Sequence, residues 1–221
     1  MVSGAQSQGI LRPVTSIIGV INLEMGNLRS VMNALNECGL DTEQVDAPDA
    51  LENYSHLVLP GVGHFRAGVD AIDRKNFRQP LKDWVAAERP LLGLCVGMQL
   101  MADTGTEGGI SQGLGLVPGE VRRIPDAPGR AIPHVGWNGL EIKRGHPVLG
   151  DLKPDRDFYF VHSYSFHCAQ AEDLVAQADY GVKLSAIVAH GSAIGIQFHP
   201  EKSQLNGLKL LENFGYWDGK C

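Results

Sequence analysis

Up to residue 100, short apolar runs alternate with stretches whose apolar residues recur every three or four positions. The run Ile17-Ile18-Gly19-Val20-Ile21 is continuous and mostly β-branched, and predicts a buried strand over 16–22. Leu28, Val31, Met32 and Leu35 then give one apolar face to a helix; Asn27 stands where an N-cap belongs and Gly39 where the helix stops. Strands are predicted over 41–46 and 56–59, the latter running into Pro60-Gly61-Val62-Gly63, and a helix over 79–88. Pro90-Leu91-Leu92 opens a further strand that leads into Gly93-Leu94-Cys95-Val96-Gly97-Met98-Gln99. Such alternation implies a parallel sheet with helices on both faces.

Beyond residue 100 the pattern changes. Strands are predicted over 115–124, 139–142, 157–161, 173–178, 186–190 and 193–197, with short turns that favour antiparallel pairing for several of them. An amphipathic helix over 203–214 closes the pattern, with Leu205, Leu208, Leu210 and Leu211 apolar. There is no internal repeat and no linker rich enough to mark a second domain. The expected fold is α/β: one three-layer domain over 16–221, with a mixed, mostly parallel central sheet and helices on both faces. Residues 1–15, polar and rich in Gly, Ser and Gln, are expected to be a disordered lead.

Cys95 carries the first chemical signal. Strand, glycine-flanked turn and helix start form a nucleophile elbow with Cys in place of Ser. Glycine on either side avoids collision with neighbouring backbone, and the following helix aims free N–H groups at the sulfur, favouring a thiolate and later an oxyanion. Alone, the pattern also describes a core cysteine in a tight turn. The second signal is Gly195-Ile196-Gln197-Phe198-His199-Pro200-Glu201. A cysteine nucleophile needs a base, and the base needs an orienting acceptor. His199 and Glu201 supply both, with Pro200 shaping the path that folds Glu201 back. Alone, His-Pro-Glu also describes a surface turn. Because both segments end strands, where ligand sites of open α/β sheets gather, they make one hypothesis: a Cys95–His199–Glu201 triad. The glycines of Pro60-Gly61-Val62-Gly63 would let backbone N–H approach a reacting carbonyl, with Val96 N–H as the second donor of an oxyanion hole.

Composition narrows the setting. With 221 residues, 43% of them hydrophobic, the chain can bury a large core without staples, and a net charge of −6 argues against a general nucleic-acid binder. Cys38, Cys95, Cys168 and Cys221 show no regular spacing, and the eight histidines do not cluster as metal ligands. No metal and no organic cofactor is expected. A nucleophilic thiol fits a reducing compartment, the cytoplasm. No apolar run approaches the ~20 residues that span a bilayer, and 1–15 lacks the basic start and apolar stretch of a secretory signal.

The elbow and the His-Pro-Glu resemble the triad, or class I, glutamine amidotransferases, a flavodoxin-like fold. Further segments narrow the resemblance: Met25-Gly26-Asn27-Leu28-Arg29-Ser30-Val31, Pro60-Gly61-Val62-Gly63-His64-Phe65, Gly113-Leu114-Gly115-Leu116-Val117-Pro118-Gly119, Pro133-His134-Val135-Gly136-Trp137-Asn138, Tyr159-Phe160-Val161-His162-Ser163-Tyr164 and Gln197-Phe198-His199-Pro200-Glu201-Lys202-Ser203-Gln204. This ordered set resembles the glutaminase subunits of imidazole glycerol phosphate synthase, over about 16–214. The resemblance implies that Cys95 attacks the glutamine amide, His199 moves the proton and Glu201 holds His199. Val96 and Gly63 N–H would stabilise the oxyanion, with the Val62 peptide as a switch. It further implies that Gly61, Gln99, Glu107 and the His162-Ser163-Tyr164 backbone hold glutamine. Ammonia would pass to a (β/α)8-barrel cyclase subunit in a heterodimer, where imidazole glycerol phosphate and an aminoimidazole carboxamide ribotide form in histidine biosynthesis. Asn27, Trp137, Asn138 and Lys202 are candidates for the docking face; core packing is the other reading of Trp137, and a solvated loop that of Glu107. Where the family usually has Asp-Tyr-Gly, this chain has Asn22-Leu23-Glu24, which bears on docking rather than on the triad. Two other readings stand beside this one: an amidotransferase feeding a different acceptor, such as a sugar, and a non-enzymatic thiol sensor on the same fold.

Overall fold

The computed structural model describes residues 17–153 and 157–221; the expected lead over 1–15 lies outside them. Along the first half run β1 (Ile18–Ile21), α1 (Leu28–Glu37), β2 (Thr42–Val45), β3 (His56–Gly61), α2 (Phe65–Arg74), α3 (Arg78–Ala86), β4 (Leu91–Cys95) and α4 (Val96–Leu100). The second half adds β5 (Thr104–Gly105), β6 (Ser111–Gln112), β7 (Gly119–Arg123), β8 (His134–Gly139), β9 (Glu141–Ile142), β10 (Asp157–His162), β11 (Tyr164–Cys168), β12 (Leu174–Asp179), β13 (Lys183–His190), β14 (Ala193–Ile196) and α5 (Gln204–Tyr216).

The central sheet has the order β2-β1-β3-β4-β14-β13-β12-β9. Pairing is parallel from β2 through β14 and antiparallel from β14 to β9. Two smaller sheets lie beside it, β10-β8 and β11-β7-β5-β6. Side chains alternate across the pleat, so successive residues feed opposite cores. Leu57, Leu59 and Leu91 pack with Phe65, Val69 and Ile72 of α2 and Leu81 and Trp84 of α3. Val58, Leu92 and Leu94 pack with Val31 and Leu35 of α1 and Leu210, Leu211 and Phe214 of α5. This double coverage is why the central strands are continuous apolar runs rather than alternating ones.

The structure departs from the sequence-based expectation at several elements. The strand expected over 115–124 shrinks to β7, because the chain before it doubles back on the elbow helix. Leu114 N–H donates to Leu100 O at 2.8 Å and Leu116 N–H to Met101 O at 2.8 Å. Helix α2 was not expected. Its cap comes from far along the chain: Phe65 N–H donates to a Glu107 carboxylate oxygen at 2.8 Å. Strands β8 and β11 were also not expected; their partners, β10 and β7, lie 18 or more residues away at every register pair. Asn27 occupies the N-cap position of α1, yet its side chain accepts from Ser30 Oγ at 2.7 Å rather than from a backbone N–H. Leu205, expected on the apolar face of α5, sits in the first turn and points to solvent.

Candidate active site

Strands β1, β3, β4 and β14 run parallel, so their carboxyl ends meet along one edge of the sheet. Cys95 is the last residue of β4 and adopts φ 52°, ψ −109°. That left-handed conformation strains a residue with a Cβ by about 1–3 kcal/mol. The surroundings enforce it. A Cβ on Gly97 would lie 1.8 Å from Leu59 O, and one on Gly93 would lie 2.7 Å from Gly97 O. With glycine there, α4 starts directly after the sulfur and β3 packs flush against it; Gly61 is the register partner of Cys95.

His199 comes to the same place by a different route. After β14 the chain crosses to β10, where His199 N–H donates to Tyr159 O at 2.9 Å. Ser203 fixes the next turn: its Oγ donates to His199 O at 2.6 Å and accepts from Tyr159 N–H at 3.0 Å. The turn Pro200–Lys202 folds Glu201 back, so that one carboxylate oxygen lies 2.9 Å from His199 Nδ1. Both side chains are buried. Burial alone would lower the His199 pKa. Hydrogen bonding to Cys95 and Glu201, together with their negative charges, outweighs it, and the pKa is pushed up to about 9. An imidazolium here is the partner that a thiolate at Cys95 needs.

A cavity of about 320 Å³ opens over the sulfur, lined by Val62, Gly63, Cys95, Val96, Gln99, Glu107, Pro133, Val161, His162, Ser163, Tyr164, His199 and Lys202. It is the right scale for a small, amino-acid-sized ligand. A larger cavity, about 870 Å³, is walled by residues such as Leu140, Ile142, His146 and Phe158. Among the described residues the two share none, and no cysteine, serine or threonine lines the larger one.

All the residues singled out for glutamine except Gly61 line the smaller cavity. The Gln99 amide donates to Tyr164 O at 3.1 Å and to Gln197 Oε1 at 3.0 Å. Glu107 is not a loosely solvated loop residue: besides Phe65 N–H, it holds His64 Nδ1 at 3.1 Å. Among the docking candidates, Lys202 borders the cavity, while Asn27 is exposed at the head of α1. Trp137 is not core: it is 48% exposed, with Val135 beside it on β8 at 53%. Asn138 is partly buried and committed internally, donating to Asp179 O at 2.8 Å. The variant segment Asn22-Leu23-Glu24 is also anchored. Asn22 donates to Asp46 at 2.7 Å, Leu23 is buried, and Glu24 pairs with Lys75 at 3.0 Å.

Two residues near the chemistry escaped sequence reasoning. Gln197 lies beneath the sulfur, with its amide 3.9 Å from Cys95 Sγ. Ser203 ties the His199 turn to β10. Gln197 follows directly on β14, whose burial on both faces hides any alternation, and Ser203 reads as an ordinary helix cap.

The model of the glutamine amidotransferase class-I family matches residues 19–216. "Imidazole glycerol phosphate synthase subunit HisH" of Desulfitobacterium hafniense (strain DSM 10664 / DCB-2) is 43% identical over 201 residues, 91% of this chain and 94% of the relative. The protein of the same name from Salinibacter ruber (strain DSM 13855 / M31) is 41% identical over 200 residues, 88% of this chain and 92% of the relative. Among solved structures, PurLQS from Thermotoga maritima aligns with a TM-score of 0.70 at 17% identity, covering 91% of this chain and 98% of that one; this is a likeness of fold alone. The chain therefore belongs to the class I glutamine amidotransferase family and, within it, to the HisH subunits of imidazole glycerol phosphate synthase.

Proposed function

We propose that this chain hydrolyses L-glutamine to glutamate and ammonia through a thioester on Cys95, and delivers the ammonia to a cyclase subunit. The observation that carries the reading is the buried His199–Glu201 pair at 2.9 Å, beside a cysteine held at a strained elbow over a small cavity. The Cys95 thiolate attacks the side-chain amide carbon of glutamine. Backbone N–H of Val96 and Gly63 would receive the negative oxygen, with the Val62 peptide turning to complete the pair. His199 gives its proton to the leaving nitrogen, and ammonia departs. Water, deprotonated by His199, then adds to the thioester, and glutamate leaves as the thiol is restored. Glu201 keeps the imidazole in the orientation both steps need. Gln99, Gly61 and the His162-Ser163-Tyr164 backbone would hold the amino-acid end, with the Glu107 carboxylate facing its α-ammonium.

The partner is a (β/α)8-barrel cyclase forming a heterodimer through Asn27, Trp137 and Lys202, with Asn138 held internally behind that face. There ammonia is consumed in making imidazole glycerol phosphate and the aminoimidazole carboxamide ribotide of histidine biosynthesis. The relatives' names do not favour a different acceptor. The reaction is placed in the cytoplasm, where a thiolate stays reduced. The test is glutamate release by this chain alone and with such a cyclase plus its phosphoribosyl ligand, using Cys95→Ala as the blank. Strong Cys95-dependent stimulation is expected. Turnover indifferent to the cyclase would assign another acceptor, and no turnover under either condition would overturn the reading.

A further inference from the structure

The segment His162-Ser163-Tyr164 joins two separate sheets: β10 ends on His162 and β11 begins on Tyr164. Only Ser163 separates them, its carbonyl accepting from Ile124 N–H at 2.9 Å. The carbonyl of the junction that faces the elbow, Tyr164 O, receives two donors. Gln99 reaches it from α4 at 3.1 Å, and the His162 ring folds back over the junction to reach it through Nδ1 at 2.8 Å. A carbonyl only accepts, so the His162 proton sits on Nδ1.

That assignment propagates. The other nitrogen, His162 Nε2, lies 3.0 Å from His134 Nδ1, on the residue paired with it across β8 and β10. With His162 Nε2 bare, His134 must carry its proton on Nδ1 and donate. His134 Nε2 is then an acceptor, and Asn138 Nδ2 approaches it at 3.4 Å. The second Asn138 hydrogen goes to Asp179 O. Both imidazoles are buried, and burial pushes each pKa down to about 4, so the rings are neutral at ordinary pH. The His134 ring is clamped between Tyr180 and Phe160, with centroids 4.0 and 4.9 Å away. Every donor in the series points one way, from Asn138 toward Tyr164.

We propose that His134 and His162 are positioning residues for glutamine: their one-directional hydrogen-bond chain, running from Asn138 to Tyr164 O, holds the wall of the substrate cavity at the junction of two sheets. The proposal rests on the glutaminase reading above. Neither imidazole contacts the reacting atoms in this scheme. The chain keeps the junction rigid, so that the Ser163 and Tyr164 backbone meets the substrate already in place, which is where affinity is gained.

His134→Leu removes the donor and leaves His162 Nε2 buried and unpaired. In the complex with the cyclase, the KM for glutamine should rise about tenfold while kcat changes far less. His134→Asn, which can present a donor near the original Nδ1 position, should recover much of the loss. A merely structural role would lower both parameters and would not distinguish Leu from Asn. Independently, ¹⁵N-histidine NMR of the wild-type chain should show both rings as neutral Nδ1–H tautomers at pH 7. An Nε2–H tautomer at His162, or an unaltered KM in a folded His134→Leu protein, would overturn the proposal. Absence of Cys95-dependent turnover in the wild-type complex would instead overturn the glutaminase reading, so the two failures are distinguishable.

Discussion

At the scale of single residues, His199 carries the most information. Its pKa in the fold, about 9, lies above the ordinary 6.5. A group raised in this way contributes stability that is fully present below its unfolded pKa and is lost as pH rises through its folded one. The window is therefore pH 6.5 to 9. Melting temperature should fall across that range in the wild type, and fall less in His199→Asn, once other titrations are matched by comparing the two curves. Parallel curves would mean that the imidazolium is not paired as described. Glu201→Gln makes a second case. It keeps size and burial but removes the charge that orients the ring, and its amide can present a donor to Nδ1. Glutaminase kcat should drop by about 10²–10⁴ with little change in KM, by the logic of other orienting carboxylates. A variant within threefold of wild type would remove Glu201 from the mechanism.

At the scale of elements, the site depends on contacts too close to admit a side chain. Gly207 of α5 is one. A Cβ there would lie 1.8 Å from Pro200 O, inside the turn that brings Glu201 under His199. Gly207→Ala must push α5 away from that turn, so turnover should fall at least tenfold and melting temperature by several degrees. Circular dichroism melts and steady-state kinetics on the same preparation check it; unaltered kinetics would show that the turn is held from β10 alone. The elements carrying Cys95, His199 and Glu201 were readable because their signals are local. Gly93 and Gly97 flank the nucleophile, and His199, Pro200 and Glu201 are contiguous. What stayed hidden depends on distant partners. Helix α2 takes its cap from Glu107, β8 takes its pairing from β10, and Gln197 finds Gln99 only once β14 lies beside β4. None of these relations has a period or a spacing that the chain displays.

At the scale of the whole molecule, the parallel half of the sheet gathers Cys95 and the His199–Glu201 pair at one edge, and the β8–β10 ribbon rises next to it. Val135 and Trp137 alternate outward along β8 and are each about half exposed, at 53% and 48%. Trp137 meets Tyr159 of β10 edge-on at 5.7 Å, and Lys202, which borders the cavity over Cys95, lies 6.0 Å from the Tyr159 ring. An indole so placed contributes little to the monomer's core, yet it presents a large rigid surface near the cavity over Cys95. Exposed tryptophans of this kind dominate binding when a partner covers them. Trp137→Ala should therefore leave the melting temperature of the isolated chain within about a degree, since surface substitutions away from core and caps are near neutral. The same change should weaken association with the cyclase by about 10- to 100-fold, as removal of a central aromatic anchor does. Titration calorimetry of the two purified proteins reads the second effect and a thermal melt the first. A weakened complex with an unaltered melt assigns this face to the partner. A destabilised monomer with unaltered affinity would return Trp137 to an internal role and move the docking face elsewhere along the sheet edge.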